Sequence, residues 1–102
     1  MITRERKRPP SHPGKIIRGL YLEPFSITIC DLAEALGVSR NTVSRITDEQ
    51  SSVTPEMALR LSRAFNTSPE LWLNLQKKYD LWYAARASED WQNVQPIEMP
   101  MV

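Results

Sequence analysis

The stretch from Ile29 to Ile46 places small, turn-forming and apolar residues at fixed offsets, and this spacing constrains the fold more than any other feature. Ala33 is small where two helices would cross closely, and Gly37 stands where a turn between them needs a positive φ. The apolar residues that would fill the angle between the helices are Val38, Val43 and Ile46. The pattern predicts a helix-turn-helix motif over residues 28–47.

Start and stop signals predict five helices in all, because proline, serine and threonine precede each apolar-periodic segment. No segment alternates with a period of two for long enough to form a strand. We therefore expect an all-α fold. The predicted helices run from His12-Pro13 to before Pro24, from Thr28 to Gly37, from Ser39 to about Thr47, from Thr54-Pro55 to Asn66, and from Ser68-Pro69 to about Ala87.

The chain divides into a basic arm over residues 1–11, a domain over 12–87 and a flexible tail over 88–102. Trp91 in the tail is expected either to fold back onto the domain or to anchor a partner, and the former is commoner. Residues 1–65 carry 10 basic and 7 acidic side chains, and residues 66–102 carry 3 and 5. The basic half is therefore the one that holds the helix-turn-helix.

Several classes of protein are not expected from the composition. No apolar run is long enough for a membrane span or a signal peptide, so we expect a cytoplasmic protein. Cys30 is the only cysteine, which leaves no internal disulfide, and a small buried side chain is its expected role. His12 is the only histidine, at a place where it would cap a helix or face solvent. We expect no enzyme activity, no metal and no cofactor.

The second helix of the motif presents an outward face suited to the major groove of DNA. Arginine donates two hydrogen bonds to guanine and asparagine pairs with adenine, so Arg40, Asn41 and Arg45 are the predicted base-reading residues. Phosphate contacts or single hydrogen bonds are predicted for Thr28, Ser39, Thr42 and Ser44. A helical hairpin without DNA contact can carry similar alanine and glycine residues, although here all the offsets agree.

The fifth helix, over residues 69–87, is unusually aromatic. A stripe expected to pack in the core consists of Trp72, Leu75, Tyr79 and Trp82. Off this stripe, and predicted to lie in a dimer or partner interface, are Leu71, Leu81 and Tyr83.

Three consecutive pieces of the chain resemble the HigA/VapI group of antitoxins, within the Xre/Cro-type helix-turn-helix repressors. The first holds His12-Pro13-Gly14 and Leu22-Glu23-Pro24, and the second is residues 36–45. The third covers residues 54–65, 68–76 and 79–82. The resemblance implies a five-helix, lambda-repressor-like DNA-binding domain with a longer C-terminal helix, which forms a homodimer on a palindromic operator.

By the same resemblance, the chain would neutralise a HigB-like mRNA-cleaving toxin and repress the operon that encodes both. Two alternatives stay open: a stand-alone Xre-type transcriptional regulator, and a helix-turn-helix-shaped protein-interaction module without DNA binding. Single-stranded RNA binding is a weaker possibility, because its aromatic platform would come from core residues.

The chain departs from this group at two places. Members of this group usually resemble one another in having Ser-Gln at the start of the first motif helix, where the glutamine helps to bind a phosphate. This chain has Thr28-Ile29 there, so that side-chain contact is lost. After the second motif helix, where relatives tend to carry glycine and basic residues, it has Asp48 and Glu49, whose charge phosphate repels. Both departures predict either weaker DNA binding or a displaced loop.

Overall fold

The computed structural model describes residues 8–99, and within this range the chain is helical and contains no strand. Five α-helices confirm the predicted all-α class. They are α1 (Pro13–Ile16), α2 (Ile29–Leu36), α3 (Arg40–Thr47), α4 (Pro55–Phe65) and α5 (Pro69–Ala87). A π-helical turn (Ile17–Leu22) continues α1, and a 3-10 turn (Asp90–Asn93) follows α5.

The helix starts lie where the sequence predicted them because each is closed by a side-chain cap. Thr28 forms a capping box with Asp31, in which each side chain accepts a hydrogen bond from the other residue's backbone N–H. The hydroxyls of Ser39, Thr54 and Ser68 accept from the backbone N–H three residues later. Local sequence thus determines where α2 to α5 begin.

The first predicted helix differs from the expectation in its second half. Only Pro13–Ile16 is α-helical, and the chain then widens into the π-helical turn, where the backbone N–H of Glu23 donates to the carbonyl of Arg18, five residues earlier, at 3.0 Å. The wider turn ends before Pro24, as predicted, and Gly19 lies exposed within it.

The core lies where α1, α2, α3, α4 and the first half of α5 meet. Trp72 is fully buried at its centre, and its indole N–H donates to the Thr67 hydroxyl at 2.8 Å. Phe65 stacks on Tyr21 with ring centroids 4.0 Å apart. The remaining buried apolar side chains are Ile17, Leu22, Leu32, Ala33, Leu36, Val43, Ile46, Val53, Met57, Ala58 and Leu61.

Two expectations about the core are wrong. Cys30 is exposed on α2, because the buried positions of that helix face the opposite side. The stripe on α5 is buried only at Trp72; Leu75, Tyr79 and Trp82 are half-buried. The Arg86 guanidinium lies over the ring of Trp82, with its carbon 3.3 Å from the ring centroid. Trp82 is therefore partly shielded from solvent by a cation and not by core side chains.

The structure describes only part of the predicted arm and tail at the two ends of the chain. Residues 1–7 of the predicted basic arm lie outside the described residues, and Pro10, which belongs to the same arm, is buried. In the tail, the indole N–H of Trp91 donates to the carbonyl of Ala85 at 3.2 Å while the side chain stays 55% exposed. Trp91 therefore folds back onto α5, as expected, yet keeps a free face.

Candidate nucleic-acid interface

The two helices of the predicted motif, α2 and α3, pack against each other on either side of a turn at Gly37. Gly37 ends α2 with φ of +71°, a conformation that strains any residue with a side chain. Ala33 is buried between the helices, and Val43 and Ile46 on the inner face of α3 are buried against them. The Arg60 guanidinium of α4 donates to the Leu36 carbonyl at 2.7 Å, which satisfies a carbonyl at the end of α2.

The position of α3 is also determined by the start of α1. A Cβ on Gly14 would lie 1.9 Å from the backbone carbonyl oxygen of Ile46, so only glycine lets α1 approach the end of α3 this closely. His12 caps α1 by accepting from the Gly14 N–H at 2.9 Å. It is buried, and its ring meets Tyr79 of α5 edge-on at 4.9 Å. Of its two expected roles, capping is confirmed and exposure to solvent is wrong.

Arg40, Asn41 and Arg45 are all exposed on the side of α3 opposite its buried face. Within residues 8–99, the ion pairs join Arg18 to Asp48 and Arg60 to Glu56, so neither arginine of α3 is neutralised by a described carboxylate. Among the described residues, the two guanidinium groups and the Asn41 amide thus form an exposed polar face on α3.

The predicted hydroxyl contacts have local partners already. The Ser39 hydroxyl caps α3 and lies 2.8 Å from that of Thr42, while the Ser44 hydroxyl donates to Asp48 at 3.4 Å. Thr42 and Ser44 are half-buried. These side chains hold the shape of α3, so we expect them to contribute fewer direct contacts than the arginines.

At the start of α2, Thr28 is exposed and its hydroxyl is occupied as an acceptor in the capping box. The backbone N–H groups of Ile29 and Cys30, in the first turn, are the ones left to bind an anion. The hydrogen bond from the Thr28 backbone lowers the pKa of Asp31, which therefore keeps a negative charge beside these donors.

The acidic loop after α3 is ordered by contacts that the sequence did not predict. Glu49 adopts a left-handed conformation with φ of +63°, which glycine adopts without strain. Arg18, from the π-helical turn, pairs with Asp48 at 2.8 Å, and no local pattern in the sequence signals a contact across thirty residues. Arg18 is the residue of this surface that sequence reasoning missed.

The predicted interface residues of α5 are exposed: Leu71 by 41%, Leu81 by 62% and Tyr83 by 47%. Leu81 also borders an open apolar groove of about 480 Å³ that is completed by Ala84, Ala85 and Trp91. In the part of the chain that the structure describes, no helix is both long and apolar enough to cross a membrane. The same range holds no cluster of three or more His, Cys, Asp or Glu side chains that could bind a metal ion.

Comparison with known proteins identifies the family of this fold and surface. A helix-turn-helix family model (HTH_3) matches residues 20–72. Antitoxin HigA-1 of Vibrio cholerae is 40% identical over 92% of this chain and 90% of its own length. The chain belongs to the Xre-type helix-turn-helix family that includes the HigA antitoxins.

Other members of this family match with similar coverage. An HTH-type transcriptional regulator of Haemophilus influenzae is 45% identical, over 94% of this chain and 89% of its own. Pseudomonas aeruginosa antitoxin HigA, solved with the higBA promoter, superposes with a TM-score of 0.77 at 42% identity and covers 87% of this chain and 99% of its own. The chain thus has the fold of a HigA-type DNA-binding protein.

Proposed function

We propose that this chain binds, as a homodimer, a palindromic operator upstream of its own gene and represses transcription from it. The observation that carries the proposal is the two-sided character of α3, whose inner face is buried while Arg40, Asn41 and Arg45 are exposed. In Xre-type proteins this helix enters the major groove and reads base edges near its N-terminus. We expect the protein to act in the cytoplasm, where operator DNA is found.

In the proposed homodimer, α5 forms the interface between the two copies. Leu71, Leu81 and Tyr83 are large apolar side chains exposed on one helix, a combination that favours association with a second copy. A two-fold dimer would present two copies of α3 about 34 Å apart, one turn of DNA. The half-sites of the operator should therefore be inverted and centred roughly 10 base pairs apart.

The same protein would also neutralise a HigB-like mRNA-cleaving toxin. This part of the proposal is supported by the similarity to V. cholerae antitoxin HigA-1 across nearly the whole of both chains. A second candidate, a stand-alone regulator without a toxin, is favoured by the similarity to the H. influenzae transcriptional regulator.

Footprinting and co-purification test the two halves of the proposal separately. A protected inverted repeat in the upstream region would support autorepression, and its absence over the whole region would overturn it. Co-expression with the product of the adjacent gene would support the antitoxin function if that product is toxic alone and forms a stable complex with this chain. Binding to the operator without any such partner would favour the stand-alone regulator.

A further inference from the structure

The ion pair between Arg18 and Asp48 joins the first helical segment to the end of the recognition helix α3. Arg18 Nη2 lies 2.8 Å from Asp48 Oδ1, and the other carboxylate oxygen accepts from the Ser44 hydroxyl at 3.4 Å. Both oxygens of Asp48 are therefore engaged. Each charged side chain is 47% exposed, so the pair lies at the surface.

This pair lies between the two places where DNA phosphates are expected. Asp48 is the C-cap of α3. Arg18 borders one open groove with Thr28 and Ile29 at the start of α2, and a second groove with Thr47 and Glu49 at the end of α3. Arg18 thus lies beside both the start of α2 and the acidic loop.

A charge at this position affects DNA binding more than folding. Exposed ion pairs contribute little to stability, because solvent screens them and ordering the side chains costs entropy. An unpaired carboxylate near a phosphate, in contrast, repels it directly. With Arg18 in place the pair has no net charge, so Asp48 no longer opposes the approach of α3 to the groove, and the repulsion from this loop is reduced to that of Glu49.

We propose that Arg18 is a positioning residue for DNA binding, which neutralises Asp48 and holds it on the protein side so that the recognition helix can enter the major groove. The inference rests on the proposed operator binding and explains how this chain tolerates an acid at the end of its recognition helix. Arg18 acts through Asp48 and not by contact with a base.

The test compares operator binding by wild-type protein, Arg18→Ala, Asp48→Ala and the double variant, with thermal unfolding measured for each. Arg18→Ala should weaken binding about fivefold per protomer, the effect of one unit charge about 4 Å from a phosphate in water. Asp48→Ala should bind as well as wild type or more tightly. The double variant, which has no net charge at this point, should return to within about twofold of wild type.

Two results would overturn the proposal. If the double variant binds as weakly as Arg18→Ala, then Arg18 contacts phosphate directly and Asp48 is not its target. If Asp48→Ala also weakens binding and both single variants unfold at lower temperature, then the ion pair only stabilises the structure of the loop. Arg18→Lys keeps the positive charge but lacks the planar guanidinium. Operator binding by this variant at the wild-type level would support neutralisation of Asp48 and not a bidentate contact of Arg18 with phosphate.

The wild-type titration separates this proposal from the function on which it rests. If wild-type protein binds its upstream DNA no better than random DNA, the proposed operator binding fails. If wild type binds tightly and all four proteins bind equally, only the role of Arg18 fails.

Discussion

The helix-turn-helix region and the second half of α5 use their apolar residues in different ways. In α2 and α3, six side chains are buried among sixteen residues, whereas the nineteen residues of α5 bury only Trp72 and Gln76. Leu81 and Tyr83 remain exposed past the point where α5 leaves the core. The first region is thus stabilised within one chain, and the second has a surface that suits association with another.

The largest effect should come from breaking the tightest contact of the packed region. Gly14→Ala places a Cβ against the Ile46 carbonyl, so α1 and α3 must separate, at a cost of roughly 3 kcal/mol in the free energy of unfolding. Urea denaturation measures this change. Gly19→Ala is the matched control, because a Cβ there would meet no atom within 4 Å apart from its chain neighbours and its own helical backbone. An equal loss in both variants would contradict the close approach.

The second effect concerns α5 and should change association, not folding. Leu81→Ala/Tyr83→Ala removes exposed apolar surface, and we expect dimer dissociation to become easier by about 2 kcal/mol, or roughly thirtyfold. Sedimentation equilibrium measures the dissociation constant. Leu59→Ala on α4, where the side chain is 57% exposed, is the control. An unchanged constant in the double variant would place the interface elsewhere.

The smallest expected effect is a pH dependence of stability that arises from His12, which lies between the two regions. Burial lowers the pKa of its imidazole from the ordinary 6.5, against the opposing charges of Glu49 and Asp80 and a hydrogen bond with Ser51. The unfolded chain then takes up a proton at higher pH than the folded chain. This contribution to stability is complete above about pH 6.5 and is lost as pH falls through the lower, folded pKa.

Urea denaturation at pH 7.5 and pH 5 measures this loss. His12→Asn is the informative variant, since an amide oxygen can replace the capping nitrogen but does not titrate. The variant should lose less stability than wild type between the two pH values. If both lose the same amount, other groups cause the dependence and His12 does not couple the regions through its charge.

The same comparison explains what the sequence could predict. Caps such as Thr28 and Ser39, and the turn at Gly37, depend on residues within four positions of each other, so pattern and position were enough. For Cys30, the usual burial of cysteine was a poor guide, because the periodicity of α2 points that position outward with Glu34. The π-helical turn has no such local signal.

Contacts between distant segments were not predictable from local patterns. The pair of Arg18 with Asp48 depends on how α1 packs against the end of α3, which in turn depends on Gly14. The two acids at Asp48 and Glu49 were visible in the sequence, but the neutralisation of Asp48 by Arg18 was not. The DNA-contacting role of Arg40, Asn41 and Arg45 stays a prediction from their chemistry and exposure.

The most direct test of operator reading by α3 is an anisotropy titration against DNA from the chain's own upstream region, at about 50 and 200 mM salt. Wild type should bind tightly and salt-sensitively, and Arg40→Ala/Arg45→Ala should lose at least roughly a hundredfold in affinity. Arg63→Ala/Lys78→Ala removes the same charge from exposed positions on α4 and α5 and should stay within about threefold. Equal losses in both variants, or wild-type binding no better than to random DNA, would contradict the account.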